Sequence, residues 1–353
     1  MRIFYSIKHS AVAYEEMTGK KGKVHPYTGY GHASEELAKA LERLGCEIIW
    51  DAERAKSCDI ELYFGQPKFK PNPTIRPSVI LTMTEFEGLP EGWLEGLLNY
   101  DHILTPSQWG KQILEKVIRE KAGVEKEVDV IPLGFNPGKF PAMYRPLGRE
   151  PWTYLWMGDI LMGRKGYRYV MDAFLSLNLP NTRLIVKLLP IKKDYKQATF
   201  VIPPTADQKW DSIVFLYERY DWDRMRNLLW ESDVSVYPSE GEGFGLIPLE
   251  HMATGLYCIF TNYSGLADLA DTRYNWPLGW RHKKCQYAPG LDALPDVEDL
   301  KTAMIEAYEY KDEVREIGHQ ASQWVRQNWT WDIVARKYYE YLDKVLRRWN
   351  DEV

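Results

Sequence analysis

The chain is poor in cysteine and has no pattern among the four it carries. Cys46, Cys58, Cys258 and Cys285 make neither a C-x-x-C pair nor a metal-ligand spacing, so the expected state is reduced thiols in a reducing compartment. The histidines are scattered and do not cluster at zinc spacing, and no Ser-His-Asp arrangement is legible. An excess of positive charge is also missing. The net charge is −5 and the pI about 5.9, which removes a global basic footprint for nucleic acid and leaves only local patches open. No run approaches the ~20 apolar residues that span a bilayer. The N-terminus, Met1 to Ile7, enters a strand-like run without the apolar core and small-residue cleavage site of a signal peptide. Neither a repeat of ~20–50 residues nor a low-complexity tract is visible. These absences point to a cytoplasmic location. The 14 Trp and 23 Tyr leave room for a surface that touches carbohydrate, or lipid at the cytoplasmic face of a membrane.

What is present is an ordinary globular composition, 45% hydrophobic and 27% charged over 353 residues, long enough for about two domains. The first half alternates short apolar runs with amphipathic stretches. Arg2 to Ile7, Cys46 to Trp50, Ile60 to Phe64, Val79 to Met83, His102 to Thr105 and Val128 to Leu133 read as strands. Ala33 to Leu44 reads as a helix with Leu37, Ala40, Leu41 and Leu44 on one face. A segment rich in proline, Phe140 to Pro151, reads as a linker. A second series follows: strand Thr153–Met157, helix Tyr167–Leu177, strands Arg183–Leu188 and Ser212–Tyr217, a helix capped by Asp223 and running to Glu231, then strands Asp233–Tyr237 and Tyr257–Thr261. Helices dominate after Val297. Strands alternating with helices imply βαβ units and parallel sheets. The fold class is therefore α/β, with two Rossmann-like doubly wound halves.

One stretch concentrates the chemistry. Tyr237-Pro-Ser-Glu-Gly-Glu-Gly-Phe-Gly-Leu-Ile-Pro-Leu-Glu250 follows an apolar strand and carries glycines at 241, 243 and 245. Glycine lets a ligand approach the backbone. Pro248 suits the first position of a helix, which makes Ile247 the N-cap and places Glu250 third in the helix. A helix N-terminus behind a Gly-rich loop attracts phosphate. A carboxylate beside it accepts hydrogen bonds from a sugar diol instead. A nucleotide diphosphate with a second sugar near Glu242 satisfies both. The plainer alternative is a capped helix with Glu250 bonding back to the N-cap amide. Gly163-Arg164-Lys165-Gly166, ahead of another helix, offers a planar fork and a point charge suited to a diphosphate, or else a solvated basic turn.

Glu242 and Glu250 together resemble the E-x7-E motif of retaining, family-4-type glycosyltransferases, the glycosyl transferases group 1. The likeness extends through the chain in order. Ser34 to Cys46 is similar to the family's first helix. Thr84-Glu85-Phe-Glu87-Gly-Leu-Pro90 and Tyr100 to Ser107 resemble its first-domain pattern. Ile131-Pro-Leu-Gly-Phe-Asn136 is similar to its pre-linker segment, and Asn328-Trp-Thr-Trp331 leads into the family's last helix. The resemblance implies a GT-B architecture: an acceptor-side Rossmann-like domain over 1–148, a nucleotide-sugar domain over 149–330, and a C-terminal helix over 331–353 that returns to the first domain, with a cleft between the two.

The resemblance also implies roles. Glu242 lies near the transferred sugar, Arg164 and Lys165 neutralise the departing diphosphate, and Glu250 holds the nucleotide ribose. Gly243, Phe244, Gly245 and Leu246 line the nucleotide-sugar, and Gly31, in a family Gly-rich loop with Gly29, approaches donor or acceptor. Glu85, at the carboxyl edge of its sheet, is a candidate catalytic residue. Gly31 is equally well explained as part of a helix-start turn. Two departures stand out: Gly158-Asp159 replaces a Gly-Arg, and acids at 85 and 87 replace a His-Asp pair. Asp59-Ile-Glu61 and Asp221-Trp-Asp223 mimic a D-x-D metal motif but read as strand-start and cap residues. No metal is expected, because Arg164 and Lys165 take the leaving-group charge.

The implied activity is metal-independent hexosyl or pentosyl transfer with retention, from a UDP- or GDP-sugar to a hydroxyl acceptor. The segment Lys8 to Tyr27 carries Lys8, Lys20, Lys21 and Lys23, and suits either plain solvation or an anionic acceptor. A glycan or lipid-linked glycan at a membrane surface is one such acceptor. DNA with a hydroxylated base flipped outward is another, and the acidic pI favours the first. A sugar-nucleotide epimerase and a non-catalytic nucleotide-sugar binding protein are the rivals from other classes. Donor base, acceptor class and oligomeric state are not legible.

Overall fold

The computed structural model describes residues 1–6, 29–159, 163–188, 212–218, 220–286 and 288–352. The segments Lys8–Tyr27 and Lys192–Lys209 lie outside the described residues. The chain forms two compact units. The first comprises Met1–Asn136, Lys284–Leu291 and Asn328–Val353, and the second Pro137–Lys283 and Asp292–Gln327.

In the first unit the elements run β1 (Arg2–Ser6), α1 (Gly29–Arg43), β2 (Glu47–Ile49), β3 (Ile60–Phe64), β4 (Ser78–Leu81), α2 (Trp93–Leu98), β5 (His102–Thr105), α3 (Gln108–Ala122) and β6 (Val128–Val130). The six strands make one parallel sheet in the order β2-β1-β3-β4-β5-β6. β3 and β4 are buried along their whole length, which is why they read as largely apolar runs, with Glu61 the exception in β3, rather than as alternating ones. α1 begins at Gly29, so Gly29 and Gly31 lie inside the helix and not in a loop ahead of it. Ser107 caps α3 by accepting from the Gly110 amide at 3.1 Å, and Gly123 ends it in the left-handed region. The last helix, Trp331–Glu352, belongs to this unit and packs on α1. Tyr338 donates to Ile131 O at 3.0 Å and Tyr341 to Asp129 Oδ2 at 2.9 Å. The helix starts against Gly134, where a Cβ would meet the Trp331 backbone at 2.9 Å.

In the second unit β7 (Trp152–Gly158), α4 (Tyr167–Leu177), β8 (Thr182–Leu188), β9 (Ile213–Leu216), α5 (Trp222–Glu231), β10 (Val234–Tyr237), α6 (Leu246–Ala253), β11 (Tyr257–Thr261) and β12 (Asn275–Leu278) build a second six-stranded parallel sheet. Its order is β12-β11-β10-β7-β8-β9. A hairpin of β13 (Trp280–Lys284) and β14 (Leu291–Pro295) and the helices α7 (Val297–Glu309) and α8 (Lys311–Asn328) complete the elements. The core gathers Trp152, Tyr154 and Trp156 of β7 with Phe174 of α4 and Met304 of α7. The cap of α5 is Asp221, which accepts from the Arg224 amide at 2.8 Å, and not Asp223 as the sequence suggested. Asp223 is the second residue of the helix and pairs with Arg226 instead.

The segment 137–151 belongs to the second unit. Arg145 there is 4% exposed. Its guanidinium donates to Leu229 O at 2.7 Å and Ser232 O at 2.6 Å, at the end of α5, and to Thr254 O at 2.9 Å, at the end of α6. Helix C-termini leave carbonyls without intrahelical donors, and one arginine serves two of them. Burial pushes its pKa down to about 9, against the charge of nearby Asp233.

Candidate functional site

In the second sheet β7 connects to β8 on one side, while β10 lies on the other. The chain direction across the sheet therefore switches between β7 and β10, and open α/β sheets bind ligands at the carboxyl ends of strands at such a point. Arg164 and Lys165 follow β7, and Glu242 follows β10. The topology brings them together.

The two loops are stitched at backbone level. The Glu240 amide donates to Arg164 O at 2.7 Å, and Arg164 in turn donates to Gly241 O. Gly166 has φ +76, and a Cβ there would stand 2.0 Å from Pro238 O. Only glycine fits both the conformation and the gap.

Glu242 is the electrostatic centre. Its Oε1 accepts from Lys165 Nζ at 2.5 Å, Ser239 Oγ at 2.8 Å, Tyr237 OH at 2.9 Å and Arg164 Nη1 at 3.1 Å. The residue is 8% exposed and Arg164 4%. Burial alone would raise the carboxyl pKa, but the charges of Lys165 and Arg164 and the hydrogen bonds from Lys165 and Ser239 bring it down to about 2. It is therefore a fixed anion near neutrality, unable to donate a proton. Its backbone is also tied: the amide donates to Ser264 Oγ at 2.8 Å and the carbonyl accepts from the Gly265 amide at 2.9 Å. A Cβ on Gly265 would meet Gly243 O at 2.4 Å, so the turn after β11 backs the glycine-rich loop closely.

The helix behind that loop starts earlier than its proline indicated. Gly245, at φ +117, is the residue before α6, and Leu246 is its first position. Ile247 is therefore not the N-cap. Pro248 occupies the third position, where an amide hydrogen would still have no intrahelical acceptor. Glu250 falls fifth, one turn in, and cannot bond back to the N-cap amide as a capping-box acid does from the third position. Glu250 is 7% exposed. Phe244 is buried at 2%, and a Cβ on Gly245 would strike the Leu266 side chain at 2.6 Å. Beside Glu250, His251 is fully enclosed, with Nδ1 2.7 Å from Ser235 Oγ on β10. Burial, reinforced by the charge of Arg145, pushes it down to about 3, so it is neutral.

Gly31 and Glu85 lie in the first unit, where the fold also brings their segments together. Tyr30, beside Gly31 in α1, exchanges hydrogen bonds of 3.2 Å with the backbone N–H and C=O of Met83, just after β4. Glu85 and Glu87 follow in the next residues and are half-buried. Gly88 in that loop is packed closely, since a Cβ would meet Pro289 O at 2.0 Å. Asp59 and Glu61 hold backbone: Asp59 Oδ2 accepts from the Arg2 amide at 2.6 Å and Glu61 Oε2 from the Asn72 amide at 2.6 Å. Among the described residues no group of three or more His, Cys, Asp or Glu is arranged to hold a metal ion, and no helix is long and apolar enough to cross a membrane. None of the four cysteines is in a disulfide.

Tyr237, Ser239 and Ser264 were not singled out by sequence reasoning. The signal for the first two was their place at the carboxyl end of a buried strand, directly before the glycines. Ser264 and Gly265 are turn residues by type, but nothing in the sequence ties them to a partner 22 residues earlier.

Residues 152–307 match the family described as Glycosyl transferases group 1. A curated relative, an uncharacterized glycosyltransferase of Methanocaldococcus jannaschii, is 23% identical over 253 residues. That match covers 69% of this chain and 60% of the relative, so the chain spans about three-fifths of the relative's length. Among solved structures, a glycosyltransferase from Rickettsia africae superposes with a TM-score of 0.65 at 15% identity, over 98% of this chain and 97% of that one. Anabaena HepE, solved with UDP and glucose, gives 0.63 at 16% identity over 97% and 99%. Sucrose-phosphate synthase from Thermosynechococcus elongatus gives 0.62 at 16% identity over 89% and 79%. The stretch that holds Arg164, Lys165 and Glu242 thus falls within the part of the chain that matches the group 1 glycosyltransferases, in a chain with the GT-B fold.

Proposed function

We propose that this protein transfers a sugar from a nucleotide diphosphate sugar, UDP- or GDP-linked, to a hydroxyl of a glycan or lipid-linked glycan, with retention at the anomeric carbon and without a metal ion. The observation that carries the reading is the buried Glu242 carboxylate between Lys165 and Arg164 at the β7/β10 switch point. Two cations converge there on one buried carboxylate at the carboxyl end of the sheet. A diphosphate is an anion of the kind that an arginine fork and a lysine point charge both bind. The Anabaena structure holding UDP and glucose on the same fold supports this choice of ligand.

In this reading Arg164 and Lys165 stabilise charge that develops on the leaving diphosphate, a preorganised electrostatic effect. Gly243 and Gly245, with Phe244 and Leu246 at the start of α6, offer backbone N–H groups and the positive helix end to phosphate. Glu250 accepts from the nucleotide ribose. Glu242 accepts from the donor sugar and fixes its orientation. Glu85 and Gly31, both in the first unit, are substrate contacts in the same reading. The protein works in the cytoplasm, with its acceptor at or near the membrane face.

A thermal-shift screen of UDP, GDP and their common hexose conjugates tests the reading, followed by donor turnover with glycan acceptors. A ligand present at about 100 times its Kd adds about 2.7 kcal/mol, a plainly measurable shift. If no nucleotide sugar stabilises the chain, the proposal is wrong. In the same assay Glu250→Ala weakens binding of the free nucleotide. Affinity equal to wild type in that variant removes the ribose role.

A further inference from the structure

All four donors to the Glu242 side chain meet one oxygen. Lys165, Ser239, Tyr237 and Arg164 converge on Oε1, and none of the described residues donates to Oε2. The side chain retains 10% of its exposure, and Oε2 is not sealed from solvent. A carboxylate has about four acceptor sites over its two oxygens, and an even distribution of donors would be ordinary. This distribution is one-sided.

We propose that Tyr237 and Ser239 are positioning residues that hold Glu242 by Oε1 so that Oε2 alone meets a hydroxyl of the donor sugar. The inference rests on the donor reading above and deepens it. The two hydroxyls do something that the two cations cannot. A bound diphosphate draws Lys165 and Arg164 toward its own oxygens and loosens their hold on Oε1. Neutral hydroxyls feel far less of that attraction. The Tyr237 ring is 2% exposed and Ser239 fully buried, so neither donor has freedom to follow the phosphate. They keep Oε1 occupied while the cations change partners.

The backbone anchors make the orientation rigid. The Glu242 amide is fixed on Ser264 Oγ and its carbonyl on the Gly265 amide. With the backbone held at both groups, exchanging the two carboxylate oxygens requires breaking every side-chain hydrogen bond at once. Oε2 is then an acceptor in a set place, and only a donor hydroxyl of the sugar completes it.

The test uses the full chain with Tyr237→Phe, Ser239→Ala and the pair together. Tyr237→Phe removes one oxygen and keeps the ring. For UDP or GDP, whichever stabilises the wild type, calorimetry is expected to give a Kd within about twofold of wild type. Turnover with the corresponding nucleotide sugar falls about tenfold for each single variant and further for the pair. The carboxylate stretching band of Glu242, isolated as the infrared difference between each chain and its Glu242→Gln counterpart, shifts in Tyr237→Phe. Wild-type turnover in Tyr237→Phe, or an unmoved carboxylate band, overturns the positioning role. A parallel loss of nucleotide affinity and turnover overturns it also, because that pattern is general collapse of the loop. A wild-type chain that binds no nucleotide sugar overturns the donor reading, and the aim assigned to Oε2 falls with it; the infrared band still reports separately whether Tyr237 holds Oε1.

Discussion

Lys165 Nζ stands 2.5 Å from Glu242 Oε1, although the two residues are 77 positions apart in the chain. Their meeting follows from the strand order: β7 and β10 are neighbours, and both loops leave the same edge of the sheet. The pair gives stability a dependence on pH. The folded Glu242 pKa is depressed to about 2 from an ordinary value of 4.5. Its contribution is therefore fully present above about pH 4.5 and is lost as the pH falls toward 2. Urea midpoints from pH 7 to 3 should drop more steeply for wild type than for Glu242→Gln, and parallel curves would refute the assignment.

The packing of Gly166 on Pro238 predicts a contrast between two glycines with similar backbone. Gly166 has φ +76 and Gly148 has φ +68. A Cβ on Gly148 meets nothing within 4 Å, whereas one on Gly166 strikes Pro238 O at 2.0 Å. Gly148→Ala should therefore lose only the left-handed strain, roughly 1 kcal/mol. Gly166→Ala adds a backbone clash between the two site loops and should lose several times more, roughly 3 kcal/mol, the range of overpacked interiors. Denaturation midpoints of the two variants decide it.

Much of the architecture was legible because the central strands, such as β3, β4, β7, β10 and β11, are buried along their length and read as apolar runs with turn residues between them. Ile60–Phe64, His102–Thr105, Tyr257–Thr261 and the helix Tyr167–Leu177 fall where their patterns place them. The start of α6 was misread because Pro248 fits any of the first positions of a helix, and the sequence does not reveal that Gly245 adopts φ +117. Asp221 and Asp223 are equally good caps by type, and the choice between them depends on where the backbone turns. The carboxylate at 242 and the cations at 164 and 165 were visible as residue types. That all four donors fall on one oxygen is a matter of rotamers and of loops far apart in sequence, and no spacing encodes it.

Arg145 makes a prediction about stability alone. Its guanidinium satisfies carbonyls at the ends of α5 and α6 in the interior. Arg145→Ala removes the shortest donor from each carbonyl and leaves only the longer bonds from the Ser232 amide at 3.4 Å, Arg149 Nη2 at 3.3 Å and the Met143 amide at 3.3 Å; each charge-assisted bond lost is worth about 1.5–3 kcal/mol. A loss of at least about 3 kcal/mol is expected, and Arg145→Lys should recover little of it, because an ammonium cannot reach both helix ends as a fork does. A chemical denaturation series on the three chains measures this directly.

His251 supplies a second, separable pH effect. It is enclosed, neutral and depressed to about 3, while the unfolded chain takes up a proton near 6.5. The unfolded state therefore binds more protons between these values, and stability declines as the pH falls through that window, by up to about 1.4 kcal/mol per pH unit. His251→Asn keeps a polar group toward Ser235 and removes the titration. The stability difference between wild type and His251→Asn should shrink from pH 7.5 to pH 5.5, and a constant difference would contradict the enclosed neutral ring.

The last prediction turns on the two cations that meet Glu242. Glu242→Gln keeps the shape of the side chain and removes the carboxylate charge that Lys165 and Arg164 share in the wild type. Breaking a buried ion pair from one side typically destabilises by about 3–5 kcal/mol, and a drop in thermal midpoint is expected without ligand. A nucleotide diphosphate restores the lost charge to the same two cations. UDP or GDP should therefore raise the midpoint of Glu242→Gln by more than it raises that of wild type, even though sugar transfer by the variant is impaired. Removing the cation instead, as Lys165→Ala, should reverse the pattern: a smaller stabilisation by nucleotide than in wild type. Because the two variants move the ligand response in opposite directions, general damage to the loop cannot imitate the result. Equal nucleotide-induced shifts in all three chains would show that the diphosphate does not engage this cluster.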